Sequence, residues 1–344
     1  MCDAASQQAE PPNEKLYDLH VAFIEEGLFA LNEGIKEGLS GLVRQLSTFH
    51  PRQATAKQIA ALRPDLVIAL NGIHEFPPAE AARIRAYGIP TAVWFADDPY
   101  FTDVTAHIAR QYDFVFTHEL GCVSFYKAAG CDRVYHLPLA ASAGTFRPMR
   151  TTDPKYRSDI CFIGTAFWNR VRFFDKIAPY LCGKRVVIAG GLWNRLKLYG
   201  KLADRIILAG VPLAESVRYY NGAKVVINLH RSTDDGEHNR NSMGLPGLSV
   251  NPRTFEISAC GVLQLTDIRH DLPEYYTPGH DIETYSSESE LVGKLEHFLH
   301  NDEQRLTIAV RGMRRTLGMH SYRDRLIRLL DTMLQEMHGV RSDA

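Results

Sequence analysis

The chain reads as an α/β protein built from two Rossmann-like, doubly wound domains, and three observations predict this. Short apolar runs that end in Gly, Asn or Asp alternate with helix-forming stretches, the pattern of buried parallel strands joined by helical crossovers. That alternation runs from about residue 18 to residue 137, breaks, and restarts at 159. The 344 residues also exceed the usual size of one domain and suit two. A (β/α)8 barrel is the competing fold at this length. The irregular stretch Ala140–Arg157 and the long loop Ser232–Leu248 argue against it.

Taken in order, residues 1–14 are polar and proline-bearing, unlike a secretion signal, and read as a disordered lead. Asp18–Ile24 is the first strand, followed by a helix from about Phe29 to Leu46. Asp65–Leu70 is almost wholly apolar and punctuated by Pro64 and Gly72, as expected of a buried parallel strand. A helix over Pro78–Tyr87 ends at Gly88, and the strand Thr91–Phe95 runs straight into Asp97-Asp98-Pro99. Helices near Thr105–Gln111 and Cys122–Ala129 flank the strand Phe114–Thr117, and Val134–Leu137 closes the first half. In the second half the strands are Asp159–Ile163, Arg185–Ala189, Ile206–Leu208, Val225–Leu229 and Val262–Leu265. Helices reach Lys176 and cover Ala214–Asn221, Arg253–Cys260 and Leu291–Leu299. Leu326, Leu329, Leu330, Met333, Leu334 and Met337 share one side of a last helix, which needs a surface to cover. The expected layout is a lead at 1–14, domains at 15–140 and 158–319 joined by a linker at 141–157, and a C-terminal helix at 320–338 that crosses back to the first domain.

Lys plus Arg number 39 against 40 Asp plus Glu, a net charge of −1 that gives no support to nucleic-acid binding. The six cysteines show no C-x-x-C pair, and most stand in apolar surroundings, which favours a reducing cytoplasm over secretion. No apolar run approaches the ~18 residues of a membrane span. No metal-ligand spacing is present, and neither a dinucleotide fingerprint nor a P-loop occurs.

In open α/β sheets, ligands collect beyond the carboxyl ends of the strands. The first half offers acids and histidines there: Glu25-Glu26, His74, Asp97-Asp98 and His118-Glu119. The second half offers glycines and cations: Gly164-Thr165, Gly190-Gly191, Gly210 and His230-Arg231. Glycines after strands let backbone N–H groups approach phosphate oxygens. Arg231 and Arg253 stand beside that rim and suit a diphosphate clamp, since a guanidinium bonds two phosphate oxygens at once; surface salt bridges are the plainer use. Asp97 and Asp98 are poised as general base or acceptor-hydroxyl holder, or cap the next helix, with His118 a further candidate. Glu256 stands near a helix start among Ile257, Ala259 and Cys260. A carboxylate is costly to bury there without a partner, and a ribose diol, a structural Arg or a backbone cap would each serve.

The stretch Asn251-x-Arg253-x-Phe255-Glu256-x-x-Ala259-Cys260-Gly261, with Gln264 and Asp267, resembles the CgeB/YkvP-like spore-maturation glycosyltransferases. These belong to the group 1 type glycosyltransferases of GT-B fold. Asp159–Thr165, Tyr219–Asn228, His320-Ser-Tyr322-x-x-Arg325 and Trp94-Phe-x-Asp97-Asp98-Pro99 support the likeness, which spans most of 60–335. The resemblance implies that a nucleoside-diphosphate sugar binds the second domain as co-substrate and that the first domain holds the acceptor. It implies no metal and no other cofactor. The Glu of the E-x-x-A-x-G stretch holds the donor ribose in such enzymes, and Glu256 matches it. A second Glu lies eight positions earlier in those relatives; here that position is Leu248, a departure from the pattern. The expected site therefore has Asp97, Asp98 and His118 as catalytic residues, and Gly164, Thr165, Gly190, Arg231, Arg253 and Glu256 around the donor. A sugar-nucleotide epimerase and a non-catalytic nucleotide-sugar binder are the alternatives on the same scaffold.

Overall fold

The computed structural model describes residues 17–342. The lead expected at 1–14 lies outside the described residues. The first half runs β1 (Tyr17–Ile24), α1 (Phe29–Ser40), β2 (Val43–Phe49), α2 (Ala56–Ala61), β3 (Leu66–Leu70), α3 (Pro78–Ala86), β4 (Thr91–Phe95), α4 (Thr102–Ala109), β5 (Phe114–Thr117), α5 (Cys122–Ala128) and β6 (Val134–His136). Its six strands are all parallel, in the order β2-β1-β3-β4-β5-β6. Every residue of β3, β4 and β5 is buried, because helices cover both faces of the sheet.

The second half runs β7 (Ser158–Ile163), α6 (Trp168–Leu181), β8 (Val186–Ala189), α7 (Tyr199–Leu202), β9 (Ile206–Ile207), α8 (Leu213–Gly222), β10 (Ala223–Asn228), α9 (Pro252–Ala259), β11 (Leu263–Asp267), α10 (Leu272–Tyr275), β12 (Glu283–Tyr285), α11 (Glu288–His300) and α12 (Asp302–Met319), followed by α13 (Tyr322–Ser342). Its parallel order is β12-β11-β10-β7-β8-β9. The chain reverses its direction of travel across this sheet between β7 and β10, which pair through Val225 with Ile160. A crevice opens at such a reversal, outside the carboxyl ends of the two strands. Among the described residues no helix is long and apolar enough to cross a membrane.

The last helix crosses back to the first sheet. Leu326, Leu329, Leu330 and Met333 of α13 are fully buried in one core with Val21, Phe23, Ile35 and Trp94. At about 2 kcal/mol for each buried side chain, this stripe binds α13 firmly to the far half of the molecule. Polar contacts fix its register: Arg325 Nε donates to the Pro138 carbonyl (3.1 Å) and Tyr17 Oη to Asp331 (2.9 Å).

One expected element is wrong and one element was not foreseen. The helix read from Phe29 to Leu46 stops at Ser40, and Val43–Phe49 is a parallel edge strand on β1. Its sequence VRQLSTF leaves Arg44, Gln45 and Thr48 exposed at the sheet edge, so it lacks the apolar run that marks the central strands. The 18-residue α12 had no counterpart in the sequence reading. Its buried face is Arg305, Ile308, Ala309, Gly312 and Thr316, too weakly apolar to announce a helix.

Candidate active site

The carboxyl ends of the two sheets face each other across a cavity of about 440 Å3. Four arginines line it (Arg170, Arg231, Arg253 and Arg269), against two carboxylates, Asp97 and Glu119.

The cationic wall grows from the reversal point between β7 and β10. After Ile163 the chain passes through Gly164-Thr165 and enters α6 at Trp168. Gly190 has φ +142°, and a β-carbon there would lie 2.2 Å from the Gly164 carbonyl oxygen, so glycine is what lets the ends of β7 and β8 close up. Gly190 thus stands behind the wall and is not part of the lining. The N–H of Gly164 is spent on the Ala189 carbonyl (2.8 Å), which removes it as a phosphate donor. Side chains dominate this rim instead. A methyl group at Gly164 would meet Arg253 Nη1 at 2.6 Å and Arg170 Nη1 at 2.9 Å, so both guanidinium groups converge on this spot.

Each arginine is anchored on one edge and open on another. Arg170 donates from Nε to the Leu229 carbonyl (3.0 Å) and from Nη1 to the Thr165 carbonyl (2.9 Å). Arg253 Nη1 donates to the Ile163 carbonyl (2.9 Å). Arg231 lies between the rings of Tyr100 (4.4 Å) and Phe167 (4.1 Å), one from each half, and donates to the His238 carbonyl (2.6 Å). Arg269 is paired with Asp267 and donates to the Gly247 carbonyl (2.7 Å). Among the described residues Arg170 Nη2, Arg231 Nε and Arg269 Nε are buried without a partner. A buried unpaired donor costs about 1–3 kcal/mol, more when charged, so three of them at one cleft mark a place shaped for an anion. Burial also pushes the pKa values of Arg170 and Arg231 down, a penalty that a bound anion would relieve.

Helix α9 is aimed by a polar relay. Asn251 caps it by accepting from Thr254 N–H (3.1 Å), and Pro252 fills the first turn. The Asn251 N–H donates to His230 Nε2 (2.9 Å), so the ring proton sits on Nδ1 and is donated to Asp267 (2.5 Å). Burial would raise the Asp267 pKa, but His230 and Arg269 together hold it well below the usual carboxylate range. Glu256 follows Arg253 by three residues on α9. It is 8% exposed and lies outside the cavity lining, and its side chain makes no hydrogen bond or ion pair with the described residues. Burial pushes its pKa up to about 7, with Arg253 pulling the other way.

The opposite wall carries the acids. Asp97 lines the cavity, accepts from Asn71 Nδ2 (2.7 Å), and has its pKa raised by burial, with Asn71, His74 and Arg231 opposing. Asp98 points the other way. It is wholly buried, accepts from Thr117 Oγ1 (2.6 Å) and Tyr126 Oη (2.7 Å), and is pushed by burial up to about 6. Its side chain is a core hydrogen-bond hub and does not reach the cleft. His118 lines the cavity, with its Nε2 against the Asp98 carbonyl (2.9 Å) and its Nδ1 unpartnered. Burial lowers its pKa to about 4, so the ring is neutral.

The halves are also stitched together. Glu119, at the end of β5, accepts from the N–H groups of Leu248 (2.8 Å), Ser249 (3.2 Å) and Gly121 (3.0 Å). The loop between β10 and α9 docks on the start of α4, where the Asp103 carboxylate accepts from Ser242 N–H (3.0 Å) and Arg240 N–H donates to the Tyr100 carbonyl (2.7 Å).

Of the residues expected at the site, Asp97, His118, Gly164, Thr165, Arg231 and Arg253 share the cavity wall; Asp98, Gly190 and Glu256 do not. Sequence reasoning passed over Arg170 and Arg269. Arg269 stands two residues beyond β11 and was open to the same strand-end census. Arg170 lies inside α6, and only the direction of that helix turns it back over Gly164.

Residues 170–331 match a family model described as glycosyl transferase-like. The chain is 28% identical to the spore protein CgeB of Bacillus subtilis (strain 168) over 273 residues, 79% of this chain and 84% of that one. Sucrose-phosphate synthase from Thermosynechococcus elongatus superposes with a TM-score of 0.61 at 10% identity, covering 93% of this chain and 99% of that one. Anabaena Alr3699/HepE in complex with UDP-glucose gives 0.60 at 12% identity, covering 92% and 100%. By sequence the chain is similar to CgeB and, over its second half, to the glycosyl transferase-like family, and its two parallel sheets closing on one cleft form the GT-B fold.

Proposed function

We propose that the cleft binds a nucleoside-diphosphate sugar and transfers the sugar to a hydroxyl of an acceptor held against the first sheet. The observation that carries this reading is the set of buried, unpaired guanidinium N–H groups of Arg170, Arg231 and Arg269 at the reversal point of the second sheet. A diphosphate matches them in charge and in acceptor number, and Arg253 adds a fourth cation. Glu256, outside the lining and one turn along α9 from the lining residue Arg253, takes the ribose in this reading: its buried carboxylate lacks a protein partner, and two adjacent hydroxyls are the donors it needs. HepE, which shares the fold, has been crystallised with UDP and with UDP-glucose, which fits this use of the cleft.

In the reaction the acceptor oxygen attacks the anomeric carbon while the bond from that carbon to the diphosphate oxygen breaks. The leaving diphosphate keeps the bonding electron pair, and the arginine wall stabilises the charge that develops there. The acceptor proton passes to Asp97, whose basicity is raised by burial. The five described cysteines are all free thiols, which suits a reducing cytoplasm.

A thermal-shift screen with UDP, GDP, dTDP and ADP tests the donor site. One of them is expected to raise the melting temperature, since a ligand at 100 times its Kd adds about 2.7 kcal/mol to stability. Glu256→Ala is expected to reduce that shift. A flat response to the whole panel removes the donor-site reading.

A further inference from the structure

We propose that His118 and Glu119 form the sugar-recognition corner of this cleft, and that the donor sugar they select is a neutral hexose bearing free hydroxyls rather than an acidic sugar. The inference rests on the nucleotide-sugar reading above and sharpens it to a substrate class.

The argument starts from hydrogen-bond accounting. The Asp98 carbonyl is an acceptor only, so the His118 Nε2 that faces it at 2.9 Å must carry the ring proton. That assignment leaves Nδ1 as a bare lone pair, buried and unpartnered among the described residues, on a side chain that lines the cavity. Glu119 is the next residue and lines the same cavity. A carboxylate has roughly four acceptor positions. Three are taken by Gly121, Leu248 and Ser249 N–H groups, which leaves about one open. Both side chains therefore offer acceptors, and the complementary ligand must bring donors.

Position adds the rest. Glu119 grips Leu248 and Ser249, the turn that leads through Asn251 into α9 and Arg253. It follows β5 and reaches the edge of the cleft where Arg269 stands: a β-carbon at Gly247 would lie 3.6 Å from Arg269 Nη1 and 4.0 Å from Glu119 Oε2. A ligand whose diphosphate lies on that arginine wall projects its sugar toward this corner. Sugar hydroxyls supply the donors that His118 Nδ1 and Glu119 lack. A uronate would instead set a second carboxylate against Glu119, and two carboxylates at one buried site do not both stay ionised.

The test uses the nucleoside diphosphate found by the thermal-shift screen, with its glucose and glucuronate conjugates, in calorimetric titrations of the full chain. The wild type is expected to prefer the glucose conjugate by about 10-fold or more. Glu119→Gln is expected to bind the nucleoside diphosphate unchanged, to weaken on the glucose conjugate by about 10- to 100-fold, and to lose its discrimination against the uronate. His118→Phe is expected to weaken the glucose conjugate and leave the nucleoside diphosphate unchanged. Equal wild-type affinity for the two conjugates overturns the proposal without any variant. A parallel loss of diphosphate and conjugate in Glu119→Gln also overturns it, showing that Glu119 only braces the Leu248–Ser249 turn. Failure of every diphosphate to bind the wild type sinks the nucleotide-sugar reading itself, a separate result.

Discussion

The two walls of the cleft are built from the same kind of element and carry opposite chemistry. At the strand ends of the second sheet stand Arg170, Arg231, Arg253 and Arg269; at those of the first stand Asp97, His118 and Glu119. The chain as a whole has a net charge of −1, so bulk charge conceals this division. Anchoring differs as well. The arginines are fixed on backbone carbonyls and leave N–H edges open, whereas the acids are fixed by N–H donors and leave lone pairs open. A reaction that expels an anion and takes up a proton needs such an arrangement: one side stabilises the leaving diphosphate, the other orients hydroxyls and accepts the proton.

The largest expected effect separates two adjacent carboxylates that follow β4, one on the acidic wall and one in the core. Asp97→Asn keeps the Asn71 contact geometry but removes the base, and should slow donor turnover by about 10²- to 10⁴-fold while leaving donor affinity intact. With the acceptor unidentified, hydrolysis of the donor by water provides the rate. Asp98→Asn should do the reverse, because Asp98 bonds Thr117 and Tyr126 in the core and does not face the cleft. It should cost about 1–3 kcal/mol in urea unfolding and change the rate little. If both variants behave alike, the division of labour between these neighbours is wrong.

On the cationic wall, Arg253→Met should weaken the nucleoside diphosphate by about 10- to 100-fold in titration, the loss of one charge-assisted contact. The substitution gives up one hydrogen bond, to the Ile163 carbonyl at the end of β7, so the fold should survive. An unchanged Kd would show that the guanidinium groups form a structural cluster, and the contrast between the walls would lose its functional meaning.

How much of this was readable in the chain depended on which physical signal each part leaves. The central strands β3 and β4 are buried on both faces and show as unbroken apolar runs, so the sheets were legible. The edge strand β2 hides because its place at the sheet edge leaves Arg44, Gln45 and Thr48 exposed. Asp97 and Arg231 follow strands directly, and the strand-end rule finds them. Asp98 follows the same strand, yet a rotation about one residue sends it into the core, and sequence carries no sign of that. Arg170 is the converse: nothing in its local context separates it from any helical surface arginine, and only α6 lying across Gly164 makes it part of the wall.

Glu256 belongs to the cationic half by sequence and to the acidic chemistry by type, and its titration offers a finer probe of the comparison. Its ordinary pKa is 4.5, and burial raises it to about 7 in the folded protein. Between those values the folded state holds a proton that the unfolded chain has released, so stability falls as pH rises through that window and is level above it. Glu256→Gln lacks this penalty. The stability of the variant relative to wild type should therefore grow by about 1–3 kcal/mol between pH 4.5 and 7, read by urea unfolding at several pH values. Asp98 and Glu119, which burial also shifts upward, titrate in the same range, but their effect cancels in the difference between the two proteins. Saturating nucleoside diphosphate should flatten the difference, because ribose hydroxyls donating to the carboxylate favour its ionised form. A difference that ignores pH would mean that the side chain has found an internal partner and that the ribose must be held elsewhere. A difference that grows with pH but ignores the nucleotide would leave the buried carboxylate intact and remove only its ligand.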